Sequence, residues 1–386
     1  MSDAAHLLKT MASKNIFGNN ITLTLFGESH GEAIGAVLDG LCPGMPVDET
    51  FINDQLSRRR PASGLDTARR EPDNYRIVSG VYNGKATGTP LCIVIPNTSQ
   101  HSADYAALAG KARPSHADYT AHEKYHGFED ARGGGHFSGR ITAALVAAGG
   151  ILLPALERLG ITLGTHIRSC GTENDRPFSS DVASDIRTLS AATFPALDPT
   201  CRDRFAAIIE AAKASLDSVG GITETAVIGM PAGVGEPWFD SVESLLSHAL
   251  FSLGGIKGIE FGDGFEMAHG NASVYNDALR VQNGKIVTLT NHNGGINGGI
   301  TNGMPILFRC AVKPTPSIAK EQQSVDFTKK ENIDLSIHGR HDPAIIRRIC
   351  PVINSITALV LCDLLAGRYG TDIFVGKGGL PAWTTV

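Results

Sequence analysis

Aromatic residues are scarce, 6% of the chain with two tryptophans, and neither sign of charge dominates: 34 Lys and Arg stand against 39 Asp and Glu, a formal −5. That balance argues against a general nucleic-acid binder, so any basic site has to be concentrated in one place. The seven cysteines are odd in number, far apart and without a Cys-x-x-Cys pair, which points to free thiols in a reducing, cytoplasmic setting. No charge-free run is long enough to cross a membrane, and the first residues, with Asp3 and His6, lack the apolar stretch of a signal peptide. Residues 1–14 therefore read as a flexible extension, with Met11 a second possible start, and the sequons at Asn20, Asn97 and Asn271 read as chance matches. A Walker loop and a Gly-x-Gly-x-x-Gly are both missing.

Glycine is plentiful at 44 residues, and at 42% hydrophobic the 386-residue chain can bury one large core or two ordinary ones. The chemistry concentrates between Arg113 and Thr142. There Gly133 to Gly135 stand between Arg132 and His136, and Ser138, Arg140 and Thr142 open a long apolar run. Glycine lets a backbone bend while leaving its N–H groups open to an anion, and helix starts attract anions. A plain connector would need none of Arg113, His116, Asp118, His136 and Arg140, so the stretch reads as a polyanion site.

Along the chain, the alternation of Asn20 to Phe26 predicts a strand that ends at the turn Gly27 to Gly31, with a second strand from Ala33 to Leu38. Asp48 is placed to cap a helix that runs into Arg58-Arg59-Arg60 and stops at Pro61. Tyr75 to Tyr82 and Leu91 to Ile95 read as paired strands around the hairpin dipeptide Asn83-Gly84. Ile141 to Leu159, apolar on every face, predicts a helix buried on all sides and ended by Gly160. The second half predicts strands at Ile161 to Ile167, Ile222 to Met230, Ile259 to Phe261, Val281 to Leu289 and Ile306 to Val312. Helices are expected from Arg202 to Leu216, from Val242 to Phe251, and after Pro343 to Leu365 with a kink near Pro351. Each half sets an Arg- and His-bearing motif ahead of a long buried helix amid antiparallel strands, which predicts an α+β pseudo-repeat of sheets around central helices rather than a doubly wound sheet.

His122-Glu123-Lys124-Tyr125-His126 matches the zinc hydrolase pattern His-Glu-x-x-His, but the segment is polar all round, Gly127 breaks it and no third ligand is evident. No metal is expected, and a zinc hydrolase using His122 and His126 remains the rival reading. His30, His116 and His341 each adjoin a hydroxyl, carboxylate or guanidinium, a setting suited to acid/base work. Arg58 to Arg60, Arg69, Arg70, Arg113, Arg132, Arg140, Lys313 and Arg340 could supply bidentate contacts to a ligand bearing phosphate and carboxylates.

Seven motifs in order, Gly27-Glu28-Ser29-His30-Gly31, Arg58-Arg59-Arg60-Pro61, Arg69-Arg70-Glu71-Pro72-Asp73, Thr87-Gly88-Thr89-Pro90, Arg113 to Asp118, Lys313-Pro314-Thr315-Pro316-Ser317 and Gly339-Arg340-His341-Asp342-Pro343, resemble the chorismate synthase family from about Asn15 to Leu365. The resemblance implies a single catalytic domain over 15–386 with helices sandwiched between antiparallel sheets, a homotetramer and no reductase domain of its own. It implies the 1,4-anti elimination of phosphate from 5-enolpyruvylshikimate 3-phosphate, with reduced FMN as transient electron donor and a separate flavin reductase as its source. By position, His30 would protonate the departing phosphate, His116 the reduced flavin near N1, and Asp342, aided by Ser29, would relay a proton near N5. His136, Phe137 and Ser138, Gly254-Gly255, Gly298, Lys313 to Ser317 and Arg340 would hold FMN. Arg59, at a substrate or nicotinamide position, would bind substrate with Arg60, Arg132 and Arg140. The chain departs from the family pattern at His136-Phe137, Ile141, Leu65 and Gly254-Gly255, so a non-catalytic flavin- or polyanion-binding relative is the second rival.

Overall fold

Two helices without a polar face organise the molecule. The structure, a computed structural model, describes residues 15–61, 65–66, 72–98, 108–337 and 342–376. The N-terminal extension, Arg69, Arg70, Arg340 and His341 lie outside the described residues.

In the first half, β1 (Ile16–Phe17), β2 (Thr22–Gly27) and β3 (Ala33–Asp39) are followed by helix α1 (Glu49–Arg59). Asp48 caps α1 as its sequence predicts, accepting from the N–H groups of Thr50 and Phe51. Next come β4 (Arg76–Ser79), the small hairpin β5 (Val81–Tyr82) and β6 (Lys85–Ala86), and β7 (Leu91–Pro96). Asn83 and Gly84 turn the hairpin with φ of 50° and 71°, and β4 returns along β7. The five-stranded antiparallel sheet has the order β1-β2-β3-β7-β4. Ile34, Ala36 and Leu38 on β3 and Leu91, Ile93 and Ile95 on β7 point to one buried face.

Short helix α2 (Asp118–Tyr125) and the glycine loop lead into α3 (Thr142–Arg158), and then the chain forms the second sheet. That sheet combines β8 (Thr162–Cys170), β9 (Glu173–Asn174), β10 (Gly221–Ile228), β11 (Ile256–Phe261) and a later strand, β16 (Ile306–Val312). Its order is β11-β16-β10-β8-β9, all antiparallel. Helices α4 (Val182–Ala191), α5 (Cys201–Ala214) and α6 (Val242–Phe251) flank it. Hairpins β12 (Leu279–Gln282) with β13 (Lys285–Thr288), β14 (Ile296–Asn297) with β15 (Ile300–Thr301), and β17 (Gln322–Asp326) with β18 (Glu331–Leu335) decorate it before α7 (Ile346–Tyr369) closes the chain.

Helices α3 and α7 pack on each other, α3 against β3 and β7 and α7 against β8 and β10, so they fill the layer between the sheets with α1 beside them. One continuous apolar cluster runs from Ile21 to Phe374. Stretches Gly139–Arg158 and Ile346–Tyr369 are long and apolar enough to cross a membrane, yet each is mostly buried in this core, where an all-round apolar helix belongs.

Three expectations differ from the structure. Val281 to Leu289 is not one strand: Asn283 (φ 50°) and Gly284 (φ 74°) turn it into the second half of a hairpin that begins at Leu279. Helix α4, capped by Asp181, and the polar hairpin β17–β18 have no counterpart in the sequence reading. The His-Glu-x-x-His segment does form a helix, but His126 already lies past its end in the left-handed conformation (φ 57°). His122 is held by Glu129 at 3.1 Å and packs on the Phe327 ring. Among the described residues no cluster of three metal-ligating groups forms, and the zinc reading has no support.

Candidate active site

The turn after β2 is fastened from behind. Asn97, just past β7, donates from its amide to the carbonyls of Glu28 and Gly31 at 2.9 Å each, and Ser29 N–H donates to Gly135 O at 3.1 Å. His30 is thereby carried, almost wholly buried, into the wall of a cavity of about 930 Å³. Ser29 Oγ donates to Arg132 O at 3.2 Å and lies 3.1 Å from His30 Nδ1. A hydroxyl has one proton, so Ser29 accepts from Nδ1–H, and Nε2 is the nitrogen directed away from Ser29.

The three glycines form the adjoining wall. Gly133, Gly134 and Gly135 have φ of 63°, 91° and 53°, conformations that side chains resist. A Cβ on Gly133 would overlap the His30 ring, and one on Gly134 would sit 3.1 Å from His116 Cε1. The loop thus brings its backbone against both histidines at once. His116 Nδ1 lies 2.8 Å from Asp118 Oδ1, and Arg113 grips the same carboxylate from Nε (2.8 Å) and Nη2 (2.6 Å). His136 Nδ1 donates to Gly27 O at 2.7 Å, and its ring lines the cavity.

Arginines gather at the start of α3 around a buried carboxylate. Asp73, at φ 51°, accepts from Arg59 and Arg60 at 3.4 Å each and from Arg140 more tightly. Arg59 also donates to Thr142 Oγ1 and Gly139 O at 2.8 Å, and Arg140 Nε to Asn97 Oδ1 at 3.0 Å. Further round, Arg348 at the head of α7 pairs with Asp342 and donates to Arg59 O at 2.9 Å. Among the described residues Asp73 is the carboxylate that the guanidiniums of Arg59, Arg60 and Arg140 share, and guanidiniums fixed beside a cavity suit an anionic ligand.

The opposite rim is built by Gly254-Gly255, Lys257 and the segment Lys313 to Ser317. Lys313 Nζ donates to Ser115 O at 2.7 Å, and burial, with the nearby Lys257 charge, holds its ammonium below the usual lysine value. Neither lysine has a carboxylate partner among the described residues. Thr315 Oγ1 is buried there without a hydrogen-bond partner, and the space in front of Gly254 is open.

Of the residues singled out in the sequence, the cavity wall brings together His30, His116, Asp342, His136, Phe137, Ser138, Gly254, Gly255, Lys313 to Ser317, Arg59 and Arg140. Ser29 stands directly behind His30, and Arg60 reaches the site only through Asp73. Arg132 does not face the cavity: a bidentate pair with Asp130, 2.8 Å from both Nε and Nη2, holds it half exposed on the outer side of the loop. Gly298 turns the β14–β15 hairpin outside the cavity wall, at φ 62°. Asn97, Lys257 and Arg348 have no place among the site residues read from the sequence. The pair Arg347-Arg348 opening an otherwise apolar helix was the one available signal.

Histidines, a glycine loop and cations around one internal cavity of an α+β sandwich define an enzyme for a small polyanionic molecule. The chain belongs to the chorismate synthase family, whose sequence profile, described as chorismate synthase, matches residues 21–366. A chorismate synthase of Aeropyrum pernix is 41% identical over 97% of this chain and 96% of its own length. One of Lachnoclostridium phytofermentans is 45% identical over 92% of this chain and 95% of its own. A solved structure described as the crystal structure of chorismate synthase superposes with a TM-score of 0.73 at 28% identity, over 92% of this chain and 94% of that one. The chain is accordingly a lyase of the shikimate pathway that forms chorismate from a small-molecule substrate and uses a flavin.

Proposed function

We propose that this cavity carries out the 1,4-anti elimination of phosphate from 5-enolpyruvylshikimate 3-phosphate with reduced FMN bound beside the substrate. The observation that carries the reading is the placement of His30 and His116 against two neighbouring glycines of one loop, inside one cation-lined cavity. The donor set on the Lys257 and Lys313 rim fits FMN: among the described residues two ammoniums without carboxylates, a Thr315 hydroxyl without a partner and an open glycine face suit a phosphate monoester on a flat ring.

Reduced FMN, which the Lys257 and Lys313 rim with Thr315 and Gly254 would hold, would supply a transiently donated electron with no net redox change. The chain's own residues do the rest. Arg59 and Arg140, already organised by Asp73, receive the phosphate and carboxylates of the substrate. His30, as the imidazolium with Nδ1–H given to Ser29, delivers its Nε2 proton to the departing phosphate and is left neutral. His116 offers Nε2 to the flavin, and Asp342, held by Arg348, serves as the proton acceptor on the α7 side. His136, Phe137 and Ser138 close the cofactor end; Arg132 and Gly298 receive no ligand role.

We place residues 15–386 in one catalytic domain of a cytoplasmic homotetramer fed with FMNH2 by a separate reductase, with no nucleic-acid or membrane partner. Anaerobic phosphate release is the test, run with chemically reduced FMN and, in parallel, with oxidised FMN plus NADPH. Release is expected in the first tube and none in the second. Flavin binding without release in either would favour the non-catalytic relative.

A further inference from the structure

His116 can carry its neutral proton on either nitrogen, and the groups around Nδ1 decide which. Asp118 Oδ1 is 2.8 Å away and Arg113 Nη2 is 3.1 Å away. A guanidinium only donates and a carboxylate only accepts, so the ring N–H can be satisfied by Asp118 alone. The carboxylate is itself immobilised: Arg113 N–H and Nε donate to Oδ2 at 2.9 and 2.8 Å, and Nη2 donates to Oδ1 at 2.6 Å. Burial by itself would raise the Asp118 carboxyl, but the hydrogen bonds and charges of Arg113 and His116 outweigh it and hold the group well below the usual carboxylate range. Asp118 is therefore a permanent acceptor. Arg113 Nη1 reaches Ser317 Oγ at 3.4 Å, and Lys313 reaches Ser115 O, so the segment bearing His116 is tied to the opposite rim.

We propose that Asp118 is the positioning residue of His116: it keeps the ring proton on Nδ1 and so presents Nε2 to the cavity beside Gly134. The catalytic consequence rests on the reading of His116 as a proton donor to the flavin, in which the imidazolium gives up its Nε2 proton and returns to the neutral ring with its proton on Nδ1. The tautomer itself does not.

Asparagine is the informative replacement. Two Arg113 donors converge on Oδ2, so in D118N the amide oxygen settles there and the amide nitrogen faces His116 Nδ1. That nitrogen donates, which drives the ring proton to Nε2.

Nitrogen-15 NMR of the histidine-labelled full chain, with His116 assigned by its loss in H116A, reads the tautomer directly. Read where the ring is neutral, the proton is expected on Nδ1 in the parent and on Nε2 in D118N. Turnover in D118N should fall by about 10²-fold or more, and the D118N/H116A double variant should be no slower than H116A alone. A neutral parent ring with its proton on Nε2 overturns the proposal, as does a D118N protein that keeps both the Nδ1 tautomer and parental turnover. Arg113 loses its counter-charge in D118N, so if that variant does not fold the parent spectrum alone decides. Full turnover in H116A would instead sink the role given to His116, while the tautomer result stands apart from it.

Discussion

Gly133 and Gly134 separate His30 from His116 by backbone alone, and the two positions make different demands. At Gly133 (φ 63°) an added methyl overlaps the His30 ring; at Gly134 (φ 91°) it reaches only 3.1 Å from His116 Cε1. Both alanine variants carry a left-handed backbone penalty of about 1–2 kcal/mol, so their melting temperatures should fall together. Turnover should divide them: Gly133→Ala must displace the phosphate-side histidine and lose about 10²-fold or more, whereas Gly134→Ala needs only a few tenths of an ångström from His116 and should lose less. Equal losses in kcat would count against the separate placement of the two histidines. The histidines and the glycine loop were legible because they crowd one short stretch of sequence. Asp73 stood within a recognised motif, but its task, gathering Arg59, Arg60 and Arg140, arises only when three segments meet. Arg132 stands outside the cavity wall because adjacency to the loop says nothing of direction, and Asp130, two residues back, turns it outward.

The central helices owe their close approach to small residues. A Cβ on Gly149 of α3 would overlap the side chain of Ser355 on α7, and one on Gly150 would come within 2.9 Å of Ile52 Cα on α1. The Gly149-Gly150 pair, a cost of about 1 kcal/mol per glycine in helix propensity, is thus the seat on which α3 meets α7 on one side and α1 on the other. Ser355 hydrogen-bonds back to Pro351 O at 2.7 Å and so keeps its hydroxyl satisfied at the crossing. Gly149→Val should lower the unfolding free energy by about 1–3 kcal/mol or more through overpacking, read from urea midpoints at unchanged m-value. Because α7 carries Arg348 and the cavity face Ile349, Val352 and Ile356, the same variant should also weaken substrate binding; an unaltered midpoint would mean that the helices do not touch there. At this scale strongly periodic elements were readable: α6 and β16 fall where the sequence placed them, residue for residue. The hairpin β17–β18 was not, since Gln322, Gln323, Glu331 and Asn332 give no apolar alternation and the pairing depends on cross-strand backbone bonds.

Across the whole molecule the two sheets differ in what lies inside them, a difference no local pattern announces. The first sheet presents apolar residues to the core, whereas the second encloses a charged cluster: His166, fully buried on β8, lies 3.1 Å from Asp175 through Nδ1 and 3.1 Å from Glu224 through Nε2. Phe178 stands edge-on to the ring, Cys201 abuts Asp175, and Arg309 faces Glu224 from β16. In the sequence these residues span β8, the loop beyond β9 and β10, so nothing but the sheet register (Glu224 opposite His166) brings them together. Burial would lower the imidazole, but hydrogen bonds and charges from both carboxylates outweigh it and raise His166 above 6.5. The same contacts hold Asp175 and Glu224 below their ordinary values of 3.8 and 4.5, against a burial effect that alone would raise them. A raised histidine stabilises the fold in full below its unfolded value and loses that contribution as pH rises through the folded one; the lowered carboxylates contribute above their unfolded values and lose it as pH falls. The cluster is therefore most stabilising between pH 4.5 and 6.5, and each tenfold difference in proton affinity between folded and unfolded chain is worth about 1.4 kcal/mol there. Urea unfolding of the parent and of His166→Gln across this range should show the widest gap in that window and a narrowing toward alkaline pH, where the parent imidazole is neutral in both states. A gap that instead widens as pH rises through 6.5 would mean that His166 is buried uncharged, and that the second sheet is held by packing and hydrogen bonds without an internal ion pair.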